Sequence, residues 1–137
     1  MGRLMAIDYG AKRVGLAVSD PMQIIATALD TVASKDIFDY LKVYEQKEGI
    51  EAFIVGMPKQ LNNTDSSNAP LVKQFVKQLQ TQFSGTPIHL ADERFTSSIA
   101  LHTMISGGMK KKDRRDKANV DKISAVLILQ SFMESKR

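Results

Sequence analysis

Acidic residues stand out at three places in the chain, because each place borders an otherwise apolar segment. Asp8 ends a mostly apolar run, and Gly10 lets the backbone turn closely beside it. Asp92 and Glu93 follow a second apolar run, and Asp121 lies near the start of a mostly apolar helical pattern. Each has a plainer explanation when taken alone: a turn aspartate, a helix cap, or an acid that complements a helix dipole.

Together these acids indicate a specific chemistry. Carboxylates at two strand ends and one helix start can converge on one point, and hard oxygen ligands suit Mg²⁺ or Mn²⁺. Phosphate oxygens help to coordinate the same ions, so these acids are compatible with chemistry on phosphate groups. The chain has no cysteine, and His89 and His102 lack the spacing of metal ligands.

The positive charge of the chain is concentrated in one segment. Residues 110–117 hold six basic and two acidic side chains, and the formal net charge of the whole chain is also +4. A solvated loop is one interpretation, and an arm that grips nucleic-acid phosphates beside Asp121 is the other. Arg3 can extend this patch. The predicted nucleic-acid contacts are Lys12, Arg13, Arg94, Lys110, Lys111, Lys112, Arg114, Arg115 and Lys117.

Composition indicates one globular domain over residues 1–137. Hydrophobic residues make up 43% and charged residues 25%, which excludes a disordered chain. The absence of cysteine fits a reducing compartment, and we expect a cytoplasmic protein with no signal peptide or membrane span. Without tryptophan, and with few other aromatic residues, the chain offers no stacking platform of the single-strand-binding type.

The hydrophobic pattern predicts a three-layer α/β domain. An antiparallel meander of three strands comes first, and strands and helices then alternate, which indicates a mixed sheet with helices on both faces. Ser34 or Asp36 is expected to cap the first helix. The predicted strands cover residues 3–8, 13–19, 24–33, 51–55 and 86–90. A second helix is predicted to begin near Pro70, and two further helices are predicted at 97–105 and 119–133.

Four segments resemble the YqgF (RuvX) family in the right order. They are Ala-Ile-Asp-Tyr-Gly-Ala-Lys-Arg-Val-Gly-Leu-Ala-Val-Ser-Asp at 6–20, Val-Gly-Met-Pro at 55–58, Asp-Glu-Arg-Phe-Thr at 92–96 and Asp-Lys-Ile-Ser-Ala-Val-Leu-Ile-Leu-Gln at 121–130. The resemblance spans nearly the whole chain. It implies a ribonuclease H-like fold with a mixed five-stranded sheet, and kinship with Holliday junction resolvases.

The resemblance also implies a function and a set of site residues. Members of this family are described as nucleases that mature the 5′ end of the 16S rRNA precursor. Asp8, Glu93 and Asp121 correspond to the expected catalytic metal ligands, with Asp92 as an additional acid. The implied partners are structured RNA, branched DNA and pre-ribosomal particles, and we expect a monomer or a weak homodimer.

The chain departs from its relatives at two places. Resolvases of this fold place an acidic residue near the end of the fourth strand, where this chain has Gly56, and residues 59–65 lack an expected glycine. If the strand ending at Gly56 lies between those of Asp8 and Glu93, the two outer strands are separated by two strand spacings, roughly 9–10 Å in total. A glycine between them would leave room for a hydrated metal. A glycine required by a tight turn is the alternative.

Three other functions share features with this sequence. Sugar kinases and actin-like ATPases share an Asp-x-Gly opening, but they need two such domains and 137 residues do not supply them. A non-catalytic factor that binds RNA or the ribosome and a resolvase that cuts branched DNA both remain open. Metal-dependent cleavage by the purified protein would separate a nuclease from the non-catalytic factor. A symmetric dimer would favour the resolvase.

Overall fold

A computed structural model describes residues 2–57, 69–92 and 117–135, without the side chains of Asp92 and residues 117–121. A short 3-10 helix at Ser34–Asp36 precedes the first α-helix. The strands are β1 (Leu4–Tyr9), β2 (Arg13–Ser19), β3 (Ala26–Ala33), β4 (Ala52–Met57) and β5 (Ile88–Asp92), and the helices are α1 (Ile37–Glu48), α2 (Ala69–Gln82) and α3 (Lys117–Ser135).

The five strands form one mixed sheet in the order β3-β2-β1-β4-β5. β1, β2 and β3 pair antiparallel as a meander, while β1, β4 and β5 run parallel. The predicted mixed five-stranded sheet is therefore confirmed. We call the end where β1, β4 and β5 terminate the carboxyl end of the sheet, and the opposite end the amino end.

Helices cover both faces of this sheet, which confirms the three-layer prediction. Strand side chains alternate between the faces, so each strand contributes to two hydrophobic clusters. The larger cluster packs under α1 and α2 and includes Met5, Ile7, Leu16, Phe53, Val55, Phe75 and Leu79. The smaller one packs under α3 and includes Leu4, Ala6, Ala17, Ile54, Ala125, Ile128 and Met133.

Several predicted boundaries are corrected by the structure. β4 continues through Met57, and β5 continues to Asp92, which is the last residue of the strand rather than part of the following loop. Ser34 opens the 3-10 helix, and its hydroxyl donates to the Ala11 carbonyl at 2.6 Å instead of capping. Asp36 occupies the cap position of α1 but makes no side-chain cap bond. The helix predicted at 97–105 lies outside the described residues.

No helix within the described parts of the chain is long and apolar enough to cross a membrane.

Candidate functional site

Asp8 lies one residue before the end of β1, with glycine on both neighbouring strands. On β2 it pairs in register with Gly15. On β4 the register Ile7–Val55 places Gly56 at the next position, and Gly56 in turn pairs with Ala91 on β5. We call Asp8, Gly15, Gly56 and Ala91 the Asp8 row. Since glycine has no side chain, neither neighbouring strand places a side chain beside Asp8 in this row.

The β1–β2 turn beside Asp8 is tight and brings two cations to the same end. A Cβ atom added to Gly10 would lie 2.7 Å from the Arg13 carbonyl oxygen, so this position requires glycine. Lys12 is exposed and Arg13 is half-buried. The Ser34 amide donates to the Lys12 carbonyl at 3.0 Å, which ties the turn to the end of β3. Both cations are thus close in the fold to the strand end that bears Asp8.

Helix α3 covers the face of the sheet to which Asp8 belongs. Ser124 and Ala125 are 2% and 0% exposed, and Ala125 shares a cluster with Ala6 and Ala17 of β1 and β2. Small residues therefore lie between this part of the helix and the sheet. Asp121 lies one helical turn before Ser124.

The direction of α3 places its first turns at the carboxyl end. Met133, near the last turn, lines a groove with Ile24 and Ile25 at the amino end of the sheet. The helix therefore runs antiparallel to β1, from the end that bears Asp8 towards the end where β1 begins. Asp121 and Ser124 precede the Ala125 contact, so they are displaced towards Asp8.

Among the described residues, two side-chain oxygens are buried without a hydrogen-bond partner, Ser124 Oγ and Glu45 Oε2. Ser124 and Ser19 are the buried polar residues in the described part of the chain. The Ser19 hydroxyl, in contrast, accepts from the Leu4 amide and donates to the Asp20 carbonyl, both at 2.9 Å. Sequence reasoning treated Ser124 only as a small residue and did not single out Gly15. The hairpin register could have identified Gly15 as the partner of Asp8.

The predicted acids are only partly described. The strand order confirms that β4 lies between the strands of Asp8 and Asp92, with Gly56 on the middle strand. Asp92 pairs in register with Met57, a residue of the cluster under α1 and α2. Among the described side chains no group of three His, Cys, Asp or Glu residues forms a metal cluster. Glu93 lies outside the described residues, and the side chains of Asp92 and Asp121 are not described.

The predicted basic residues are also only partly described. Lys12 and Arg13 lie at the carboxyl end, whereas Lys117 is the first residue of α3 and its side chain is not described. Arg94, Lys110, Lys111, Lys112, Arg114 and Arg115 lie outside the described residues. Arg3 does not extend the patch, because it lies at the amino end, where it donates to the Ser19 carbonyl at 3.1 Å and pairs with Glu48 at 3.6 Å.

Asp20, the last residue of the first motif, has a structural role. Its carboxylate accepts from the amides of Met22, Ile24 and Ile25 at 3.2, 2.7 and 2.8 Å. These bonds, the one from Ile25 first, hold the pKa of the Asp20 carboxyl below its ordinary value. On the other face, burial and the neighbouring Asp30 raise the pKa of Tyr40. Both groups are therefore part of the framework and not of the Asp8 row.

Comparison with known proteins agrees with this architecture. A family model described as "RuvX: Holliday junction resolvase" matches residues 2–135. A Bacteroides fragilis protein is 50% identical over 137 residues, covering 100% of this chain and 99% of its own length. An Amoebophilus asiaticus protein is 50% identical over 135 residues, covering 98% and 96%. Both are named "Putative pre-16S rRNA nuclease".

A solved structure shares the fold. Thermus thermophilus RuvC, in complex with a Holliday junction substrate, superposes with a TM-score of 0.57 at 16% identity and covers 99% of this chain and 96% of its own. The predicted ribonuclease H-like fold is confirmed. Because the family model covers nearly the whole chain and relatives align over almost their full length, the chain belongs to the RuvX family.

Proposed function

We propose that this protein is a metal-dependent nuclease that hydrolyses phosphodiesters in structured nucleic acid, with the 5′ end of pre-16S rRNA as its substrate. The observation that supports the reaction best is the Asp8 row, a carboxylate between two glycine positions at the carboxyl end of the sheet. Open α/β sheets bind their ligands at this end. The choice of RNA rests on the names of relatives that are 50% identical.

We assign the metal ligands to Asp8, Glu93 and Asp121. Glu93 is preferred over Asp92 because it corresponds to the expected ligand in the family motif that residues 92–96 resemble. Asp92 is therefore proposed as an accessory acid at most.

The residues present fit a hard divalent cation. Asp8 would supply a carboxylate oxygen, glycines stand beside it on both neighbouring strands, and the unpartnered hydroxyl of Ser124 belongs to the helix that covers the same face. The chain has no cysteine for a softer ion, so Mg²⁺ or Mn²⁺ is the expected cofactor. When bound, such an ion supplies an activated water and stabilises charge on the phosphate and the leaving oxygen.

The other residues of the chain position the substrate. Lys12 and Arg13 lie at the turn beside Asp8 and are suited to contact phosphates on one side of the scissile bond. The basic residues of 110–117 precede α3 directly in the chain and carry the excess charge, so they are proposed to bind the backbone on the other side. Arg94 follows Glu93 and is assigned to the same surface. These contacts attract structured nucleic acid without reading its sequence.

A second candidate is resolution of branched DNA. It is favoured by the description of the family model and by the Holliday junction bound to the structural neighbour. A resolvase that cuts two strands works as a symmetric dimer, whereas maturation of one rRNA end needs only a monomer or a weak homodimer. Pre-ribosomal particles are the proposed partners for the rRNA function, which in turn implies the cytoplasm.

One incubation tests these alternatives. Purified protein is mixed with a structured RNA that contains the pre-16S 5′ end, with a four-way DNA junction and with a linear duplex. Each reaction is run with Mg²⁺, with Mn²⁺ and with chelator, and Asp8→Asn is the matched inactive control. We expect cleavage of the RNA only with metal and only by the wild type. Cleavage confined to the junction would favour the resolvase, and binding without any cleavage would favour the non-catalytic factor.

A further inference from the structure

The hydroxyl of Ser124 has no hydrogen-bond partner in the part of the chain that the structure describes. The residue is 2% exposed, and its hydroxyl oxygen is buried. A buried polar group without a partner destabilises a protein, so it requires a separate explanation. Alanine would fill the same small space between α3 and the sheet without that cost. Packing alone therefore does not explain the serine.

The position of Ser124 indicates which group it serves. It precedes Ala125, which clusters with Ala6 of β1, and α3 runs antiparallel to that strand. Asp8 lies two residues beyond Ala6 on the same face, about 6–7 Å further along the strand. Ser124 precedes Ala125 by one residue, which is in that direction along the helix axis. Of the described acids on the sheet, Asp30 is on the other face, where it bonds Tyr40, so Asp8 is the acid that remains within this layer.

We propose that Ser124 is a positioning residue for the metal site, and that its hydroxyl donates a hydrogen bond to the Asp8 carboxylate when the ion is bound. This inference rests on the proposed function, because it assumes that Asp8 is a metal ligand. A carboxylate that binds a cation through one oxygen presents the other to a donor, and such a donor fixes the orientation of the ligand. The bond would provide the partner that Ser124 otherwise lacks.

Four variants separate the hydroxyl from the volume of the side chain. Ser124→Ala removes the hydroxyl in a small residue. Ser124→Thr and Ser124→Val have the same shape as each other and differ only in the hydroxyl. Ser19→Ala is the matched control, because Ser19 is equally buried on a neighbouring strand but has both hydrogen bonds satisfied at the amino end.

The readouts are Mn²⁺ affinity by calorimetry, without nucleic acid, and thermal stability. We expect Ser124→Ala to weaken Mn²⁺ binding by roughly tenfold or more, the usual effect of removing a group that orients a metal ligand, while its melting temperature stays the same or rises. Ser124→Thr should bind Mn²⁺ more tightly than Ser124→Val. Ser19→Ala should lower the melting temperature and leave Mn²⁺ affinity unchanged.

A double variant tests whether Ser124 acts through Asp8. In the Asp8→Asn background, Ser124→Ala should cause no further loss of Mn²⁺ affinity, because the acceptor is already altered. Unchanged Mn²⁺ affinity in Ser124→Ala, with a wild type that binds Mn²⁺ and cleaves RNA, would overturn this inference and leave the proposed function intact. A wild type that neither binds Mn²⁺ nor cleaves would overturn both.

Discussion

The two ends of the sheet are built in opposite ways. At the amino end, polar groups satisfy one another: Gln23 donates to the Gly2 carbonyl at 2.9 Å, Glu51 accepts from the Gly2 amide at 3.0 Å, and Asp20 accepts three backbone amides. At the carboxyl end, Asp8 lies between two glycine positions, and helix α3, which covers this face, carries a buried serine whose hydroxyl has no partner among the described residues. The bonds at the amino end stabilise the fold, whereas the Ser124 hydroxyl is left unused.

If Asp8 binds a metal as proposed, one residue type has two roles in one small domain. Asp8 and Asp20 belong to the same sequence motif and border the same two strands at opposite ends. The carboxylate of Asp20 accepts hydrogen bonds from three amides of its own turn, whereas Asp8 has glycine beside it on both neighbouring strands. The neighbours of an acid, and not its place in a motif, indicate whether it can bind a ligand.

The largest effect is expected from Asp8→Asn. This change keeps the shape of the side chain but removes the charge that holds the metal, which contributes several kcal/mol to the transition state. Cleavage should fall by about a thousandfold or more, with unchanged circular dichroism and nucleic-acid binding. Asp20→Asn at the other end is the matched control and should cleave at the wild-type rate. Normal cleavage by Asp8→Asn would show that Asp8 does not belong to the metal site.

Gly56→Val should separate function from stability. Valine favours extended backbone, but its methyl groups would occupy the space beside Asp8. We expect nearly normal stability with weakened Mn²⁺ affinity and lost cleavage. Ala52→Val lies on the same strand and face but at the amino end, and it should cost about 1–3 kcal/mol of stability through overpacking against α3, with Mn²⁺ affinity unchanged. Full activity of Gly56→Val would place this glycine away from the site, and gross unfolding would assign it to tight packing.

Much of the fold was predictable from the sequence because it follows from periodicity. Strand alternation and the turn at Gly10 predict the first hairpin, and β2 has the predicted limits. The end of β4 was placed too early because Gly56 and the residue before Pro58 indicate a break, yet pairing with both β1 and β5 extends the strand to Met57. Tertiary pairing overrides local preference there.

The candidate site was less predictable. The strand order that places Gly56 beside Asp8 came from resemblance, since periodicity does not specify which strands are neighbours. The lack of a partner for Ser124 depends on contacts between α3 and the sheet, which local sequence does not reveal. The functional assignments of Glu93, Asp121 and the basic segment stay predictions.

The basic segment should affect binding and not the fold. Replacing Lys110, Lys111, Lys112, Arg114 and Arg115 with Ala should weaken nucleic-acid binding for all sequences. The slope of log affinity against log salt should become shallower by roughly 0.7–0.9 for each lost phosphate contact. The charge-matched control removes five exposed lysines elsewhere: Lys35, Lys42, Lys47, Lys73 and Lys77. An equal change of slope in both variants would show that only net charge matters.

The smallest effect is expected at Asp20. Because the pKa of its carboxyl is lowered from about 3.8 in the folded protein, its contribution is present above the unfolded pKa and is lost as pH falls through the folded value. Asp20→Ala should therefore lower the melting temperature at pH 7 by roughly a few degrees, and the difference from wild type should shrink in acid. Cleavage at pH 7 should be unchanged. A difference that stays constant from pH 7 to pH 2 would contradict the role of the ionised carboxylate.

The most direct test of the contrast between the two ends is a titration of the isotopically labelled protein with Mn²⁺. The titration is monitored in NMR spectra through the paramagnetic loss of backbone amide signals. The account predicts that the signals of Tyr9, Gly15, Gly56 and Ser124 disappear first, and that chelator restores them. The signals of Ser19, Gln23 and Glu51 should persist to higher Mn²⁺, and Asp8→Asn should abolish the early losses. Early loss at the amino end, or equal loss at both ends, would contradict the assignment of the metal site to the carboxyl end of the sheet.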